Sequence, residues 1–146
     1  MDASYSIIEA EDKELKNIID KIRNHELTGI NVTLPFKQKI INQTDKIVND
    51  AQSTGSVNTI LLDNDKVIGE NTDVFGLQAA YLKEIDNCSG KNTLVIGAGG
   101  VSSSVIFSLI KSRAKNITVI NRTHEKSLFL KKKFSSLNIL NWSSLK

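Results

Sequence analysis

TLVIGAGGVSSSVIFSLIKSRAKNITVINRT, residues 93–123, is the stretch that decides the fold. Thr93–Ile96 reads as a buried strand running into a glycine turn, Gly97-Ala98-Gly99-Gly100. A helix follows, then a second strand, Ile117–Ile120, which ends in Asn121-Arg122-Thr123. Strand, glycine turn, helix and strand in this order open a dinucleotide-binding unit. The glycines let the backbone turn tightly and approach a pyrophosphate, whose charge meets the N-terminus of the helix. Ser102 stands at the third glycine position and is small enough for close helix–strand packing. The end of the second strand is where such folds read the adenosine ribose. An acid there accepts from the 2′-hydroxyl of NAD, but this chain offers Arg122, whose planar fork suits a 2′-phosphate. The pattern predicts NADP. A tight strand–helix turn that binds nothing is the competing reading, and the order of the parts with a basic end argues against it.

Composition sets the frame around that unit. The chain has 146 residues, 40% hydrophobic and 24% charged, which suits one ordinary domain or two small ones. A net charge of +3 is too small to argue for nucleic acid, and the Lys131-Lys132-Lys133 run reads as a solvated helix face. One cysteine, Cys88, excludes an internal disulfide and fits a reducing compartment. No segment has the apolar length of a membrane span and the N-terminus lacks a signal peptide's apolar core, so the expected location is the cytoplasm, with no membrane partner. His25 and His124 lack ligand spacing and no Cys/His cluster supports a metal.

Upstream, Ser4–Glu9 reads as a short strand, and Asp12 as the N-cap of a helix through about Asn24 with Leu15, Ile18, Ile19 and Ile22 on one stripe. Ile30–Thr33 is a strand, and Pro35 suits the first turn of a helix carrying Phe36, Lys37, Ile40 and Ile41. A short helix over Asp45–Gln52 is broken by Gly55. Val57–Leu62 and Lys66–Glu70 are strands across a tight Asp63-Asn64-Asp65 turn. Asp73 precedes a helix over about Val74–Ile85, with Val74, Leu77, Tyr81 and Ile85 on one face. The polar break Asn87–Asn92 marks a domain boundary. A helix from about His124 carries Leu128, Leu130 and Phe134, and a third strand begins at Leu137–Leu140. The fold class is α/β, with residues 1–86 as one domain, 87–146 as the first half of a Rossmann-like domain, and the helix of about 74–85 crossing between them.

Three segments join the glycine turn: NVTLPFK (Asn31–Lys37), GSVNTI (Gly55–Ile60) and GENTDVFG (Gly69–Gly76). Together with GAGGVSSS and NRTHEK, in this order, they resemble the shikimate dehydrogenase family over about residues 28–130. The resemblance implies a two-domain NADP enzyme that reduces 3-dehydroshikimate to shikimate in aromatic amino-acid biosynthesis. It implies that Lys37 and Asp73 are the catalytic pair, that Asn58 bonds a substrate hydroxyl, and that Thr33 lies at the substrate pocket. Gly97, Ala98, Gly99, Gly100 and Val101 match the phosphate loop. Asn121, Arg122 and Thr123 match the adenosine-phosphate site, with Lys126 as a second basic residue. The types suit the chemistry. Hydride transfer to a ketone builds negative charge on an oxygen that must gain a proton, and an ammonium can stabilise the one and supply or relay the other. A carboxylate beside it can orient the lysine and bond a hydroxyl. Outside the motifs, Lys37 reads as a surface lysine, Asp73 as a helix N-cap and Asn58 as a cross-strand hydrogen-bonder.

The family's serine motif before the first helix is absent, and the second half of the cofactor domain is missing. The expectation is a chain shortened at both ends, with little or no dehydrogenase activity on its own. A quinate-preferring relative and a non-catalytic remnant that binds ligand without turnover are the alternatives. Glutamyl-tRNA reductases share the glycine turn and the Asn-Arg-Thr segment, but the NVTLPFK and NTD motifs argue against them. Partners are expected to be small molecules. Family members are monomers or homodimers, and the sequence does not choose between these.

Overall fold

The computed structural model describes residues 3–82 and 88–145, and two sheets organise them. The first contains β1 (Gly29–Asn31), β2 (Lys46–Ile47), β3 (Thr59–Asp63) and β4 (Lys66–Glu70) in the order β1-β3-β4-β2. β3 pairs antiparallel with β1 and β4, and β2 lies parallel to β4. The turn joining β3 to β4 has Asn64 and Asp65 at φ of 49° and 59°. Two consecutive positive φ values give the primed turn whose twist matches a hairpin, and short polar residues tolerate it best.

The expected stripe of the first helix packs on this sheet. Leu15, Ile19 and Ile22 of α1 (Leu15–Arg23) are buried against Val57, Ile60 and Val67. A 3₁₀ turn over Asp12–Glu14 leads into α1, and Asp12 is its first residue, not its cap. Glu11 is the cap, its amide donating to Glu14 Oε2 at 2.7 Å, and Asp12 instead pairs with Lys39. Ser4–Glu9 is not a strand: Tyr5 and Ile7 are exposed, and Tyr5 reaches the sheet only by donating to Asn31 Oδ1 at 3.2 Å. A strand exists by pairing, and among the described residues no strand lies beside this segment.

Two further expectations change. The Leu34–Pro35 peptide is cis and sits in a turn, so Pro35 does not open a helix, and a 3₁₀ turn begins only at Lys39. Asp45–Gln52 is not one helix. Asp45 accepts both Arg23 guanidinium nitrogens at 2.7 Å and the Val67 amide at 2.7 Å, which draws Lys46 and Ile47 alongside β4. α2 (Asp50–Thr54) follows and stops at Gly55, whose φ of +52° is left-handed, as expected of the breaking glycine.

The second sheet is parallel, in the order β5 (Asn92–Ile96), β6 (Asn116–Ile120), β7 (Asn138–Leu140). α4 (Ser102–Lys111) and α5 (His124–Lys133) make the crossovers. Ile106, Leu109, Ile117, Val119, Leu130 and Leu137 form their core with Cys88. Val95, Val119 and Ile139 pack into it, one opposite the next. The other face departs from the buried strand that Thr93–Ile96 predicts. Leu94 is 49% and Ile96 64% exposed, with Leu140 beside them, because the apolar cluster lies against one face only.

The helix after Asp73 is not a regular α-helix over its described residues. α3 (Asp73–Gly76) is a single turn, continued by a π-helical stretch over Leu77–Leu82. Ile85 and the boundary at residues 86 and 87 lie outside the described residues, as does the side chain of Tyr81. Among the described residues no helix is long and apolar enough to cross a membrane.

The Asp45 contacts carry a pH signature. The Arg23 hydrogen bonds, then that of the Val67 amide, lower the Asp45 carboxyl from 3.8 to about 2. A depressed carboxyl stabilises the fold above its unfolded value, and that contribution fades as pH falls from 3.8 toward about 2. The pair is a third exposed, so water screens it to no more than about 1 kcal/mol. Urea unfolding followed across this acid window should show Asp45→Asn less stable than the unaltered chain at neutral pH and less sensitive to acid.

Candidate active site

Lys37, Asn58 and Asp73 come together from three separate segments. Lys37 lies in the turn after the cis peptide, and its carbonyl accepts the Val57 amide at 2.8 Å, which fastens the turn to the approach of β3. Asn58 is pinned through its own backbone: its amide donates to Glu70 O at 2.9 Å, and its carbonyl accepts the Val32 amide at 2.8 Å. The side chains then converge. Lys37 Nζ donates to Asp73 Oδ2 at 2.9 Å, and Asn58 Nδ2 to Asp73 Oδ1 at 2.8 Å. The carboxylate is thus held at both oxygens. Lys37 and Asp73 keep only 15% and 21% of their side-chain surface in water. An ammonium has three N–H groups, so the pairing leaves Lys37 with N–H groups for another oxygen.

Taken alone, Asp73 reads as a helix N-cap, and the structure shows why it is not one. It is the first residue of α3, and Thr72 occupies the cap position at φ −89°, ψ −9°. A capping side chain works from an extended backbone, which Thr72 lacks, and no side-chain cap bond forms. Thr72 is instead tied to Asn58, its amide donating to Asn58 Oδ1 at 2.9 Å. The Asp73 carboxylate is thereby free to serve Lys37. Thr33 is exposed close by in sequence, and its carbonyl accepts the Phe36 amide at 2.9 Å.

A cleft of about 350 Å³ lies between Lys37 and the glycine turn. Leu34, Lys37 and Gln38 line one side, and Gly99, Gly100 and Lys126 the other. Gly97 has φ +112°, open to glycine and strained for other residues. Its amide donates to Ile120 O at 2.8 Å, carrying the sheet ladder into the turn. A Cβ on Gly100 would collide with the Leu34 side chain, so the first unit already rests on the turn there. Beside Gly99 the space is open. Ser102 is buried, as its small size allows, and its hydroxyl donates to Gly97 O at 3.2 Å. Val101 caps α4.

The Asn121-Arg122-Thr123 segment divides. Asn121 braces the turn, its Oδ1 accepting the Ala98 amide at 3.1 Å and its Nδ2 donating to Thr123 O at 2.7 Å. Arg122, Thr123 and Lys126 are exposed, and neither cation forms an ion pair among the described residues. A glycine turn, open space beside Gly99 and two unpaired cations fit a phosphate-bearing dinucleotide. Sequence reasoning passes over Asn71 and Ser104. Both are buried, and Asn71 Oδ1 accepts the Asp73 amide at 3.0 Å. The signal for them was weak: Asn71 stands in the same motif as Asp73, and Ser104 in a run of serines on a helix otherwise apolar.

Residues 1–60 match the family described as shikimate dehydrogenase substrate binding domain, and residues 79–146 the one described as shikimate / quinate 5-dehydrogenase. The shikimate dehydrogenase (NADP(+)) of Pelagibacter ubique is 37% identical over 142 residues, 97% of this chain and 54% of that protein. The crystal structure of shikimate dehydrogenase from Aquifex aeolicus aligns with a TM-score of 0.83 at 38% identity, covering 90% of this chain and 49% of that one. A shikimate dehydrogenase solved in complex with NADP+ aligns at 0.82 and 35% identity, over 90% and 48%. The chain spans about half the length of the curated relatives it matches.

The Asn58 contacts are open to a direct test. Asn58→Ala removes one donor from the half-buried Asp73 carboxylate and the acceptor of the exposed Thr72 amide, which water can replace, and should cost about 1 kcal/mol in urea unfolding. Asn58→Asp sets a carboxylate against Asp73. Like charges so close repel, so it should destabilise more than Asn58→Ala at neutral pH, seen as a lower melting temperature.

Proposed function

The chain belongs to the shikimate dehydrogenase family, and we propose that it carries the proton-handling pair and phosphate turn of an NADP-dependent enzyme interconverting 3-dehydroshikimate and shikimate. The observation that carries this reading is the Lys37–Asp73 pair, fixed by Asn58, whose Lys37 lines the same cleft as the glycine turn. Residues 1–86 then form the substrate domain and 87–146 the first part of the NADP-binding domain, with the segment from Asp73 crossing between them.

The residues divide the work as follows. Lys37 directs a free N–H to the ketone oxygen, stabilises the negative charge that develops there, and supplies or relays the proton. Asp73 holds the ammonium in place and accepts from a ring hydroxyl. Asn58 and Thr33 supply further polar contacts that orient a polyhydroxylated ring. On the opposite wall, the amides of Gly97–Val101 and the leading end of α4 receive the pyrophosphate. Arg122 grips the adenosine 2′-phosphate through its fork, Thr123 and Asn121 complete that corner, and Lys126 adds a second positive charge. NADP(H), when bound, supplies or takes the hydride.

Binding separates the two walls. Calorimetry should show NADP+ preferred over NAD+, and Arg122→Ala should reduce that preference about tenfold or more by removing charge-assisted bonds. Shikimate, followed by NMR shift changes at Asn58 and Asp73, should bind the unaltered chain and weaken in Lys37→Ala. Any NADPH formed with shikimate should fall about a hundredfold or more in Lys37→Ala. A folded chain that binds neither NADP+ nor shikimate would sink the proposal.

A further inference from the structure

Asn71 touches both units at once. It stands between β4 and α3 and is 5% exposed. Its Nδ2 donates to Ser56 O at 2.8 Å and to Thr54 Oγ1 at 3.0 Å, both in the first unit. Its Oδ1 accepts the Asp73 amide at 3.0 Å. Ser104 Oγ, on the first turn of α4, lies 3.1 Å from Nδ2 and 3.4 Å from Oδ1. Thr54 and Ser104 are fully buried, so water offers little substitute for these bonds. The Thr54 hydroxyl is committed as a donor to Asp50 O at 2.7 Å, which leaves it an acceptor toward Asn71. A carboxamide has two N–H groups and one oxygen, and here every one is engaged.

Through Asp73 this carboxamide reaches Lys37, and through Ser104 it reaches the helix that leads out of the glycine turn. We propose that Asn71 is a positioning residue: with Ser104 it sets how the Lys37–Asp73 pair is placed against the glycine turn. The other polar contacts between the units do not bear on the pair in this way. Lys111 pairs with Asp50 at 3.3 Å at an exposed edge, and Lys133 donates to the Thr54 carbonyl, so both grip α2. Ser108 reaches the Val74 carbonyl only at 3.5 Å. Asn71 alone, among these, bonds the backbone of a residue in the pair. The functional meaning of this placement rests on the reading above, but the placement itself does not need a ligand.

That independence sets the experiment. Residual dipolar couplings are measured by NMR on the ligand-free chain, beside Ser104→Ala, which removes the hydroxyl while keeping the helix and nearly the same volume. In the unaltered chain, one alignment tensor should fit the amides of β1–β4 and of β5–β7 together. In Ser104→Ala each sheet should still fit its own geometry, but the two should require different tensors. A merely structural role would lower the melting temperature without separating the tensors. In Asn71→Ala the Asp73 amide should exchange with solvent about tenfold faster, as loss of its acceptor demands. Should that variant fail to fold, Ser104→Ala decides alone. A single tensor for Ser104→Ala, or two tensors already in the unaltered chain, would overturn the proposal. Either result leaves the ligand-binding reading intact, and failure to bind NADP+ or shikimate leaves this one intact.

Discussion

The Asp73 carboxylate has to meet Lys37 and Asn58 together, and this demand explains much of the first unit. Each partner is delivered by a different element, and each element is held by backbone bonds close to the residue concerned. Val57 fastens the Lys37 turn, Glu70 and Val32 hold Asn58, and Asn71 holds the amide of Asp73. The β3–β4 hairpin is the common frame, since Asn58 precedes one strand and Asn71 follows the other. Its primed turn fixes the register, and a slip by one residue would reverse every side chain on both strands. A hydrogen-bonding triad assembled from loops is therefore as rigid as the sheet beneath it.

How far the sequence could be read follows from the range of the forces involved. The hairpin was legible because an Asp-Asn-Asp turn between β-branched runs acts over a few residues. The first helix was legible because its apolar stripe repeats at helical spacing. The glycine turn was legible because backbone geometry there admits few residues besides glycine. Asp45 shows the opposite case. Local propensity points to a helix, but Arg23 and the Val67 amide draw the segment to the sheet edge, and both partners are 22 residues away in sequence. Ser4–Glu9 has strand composition but lacks a neighbouring strand, and composition does not supply one. Asn71 was invisible for a related reason. Its importance lies in Thr54, Ser56 and Ser104, partners 15 to 33 residues away that no local pattern marks.

The second unit shows the same logic in its exposure pattern. Val95, Val119 and Ile139 line up across three parallel strands and face the core beneath α4 and α5, while Leu94, Ile96 and Leu140 face outward. Strands of a parallel sheet read as near-continuous apolar runs because both faces are normally covered. Here the run is present, but of the outward row Ile96, Ile120 and Leu140 only Ile120 on the central strand is buried.

The buried serines of α4 resolve an apparent conflict in that helix. Ser102, Ser103, Ser104 and Ser108 are all buried, although serine is a poor helix former with little apolar surface to hide. Larger apolar residues there would add burial energy within the second unit. They would also push α4 away from α2 and α3, the elements of the first unit that it meets. Small side chains permit the close approach, and the Ser104 hydroxyl answers the carboxamide of Asn71 across it, while Ser102 holds the carbonyl of Gly97 within the second unit. The helix thus gives up local stability for a polar seam between the units, and that seam runs from the glycine turn to the amide of Asp73. Where a chain buries serines in preference to leucines, the spacing between two units is under tighter constraint than the stability of either.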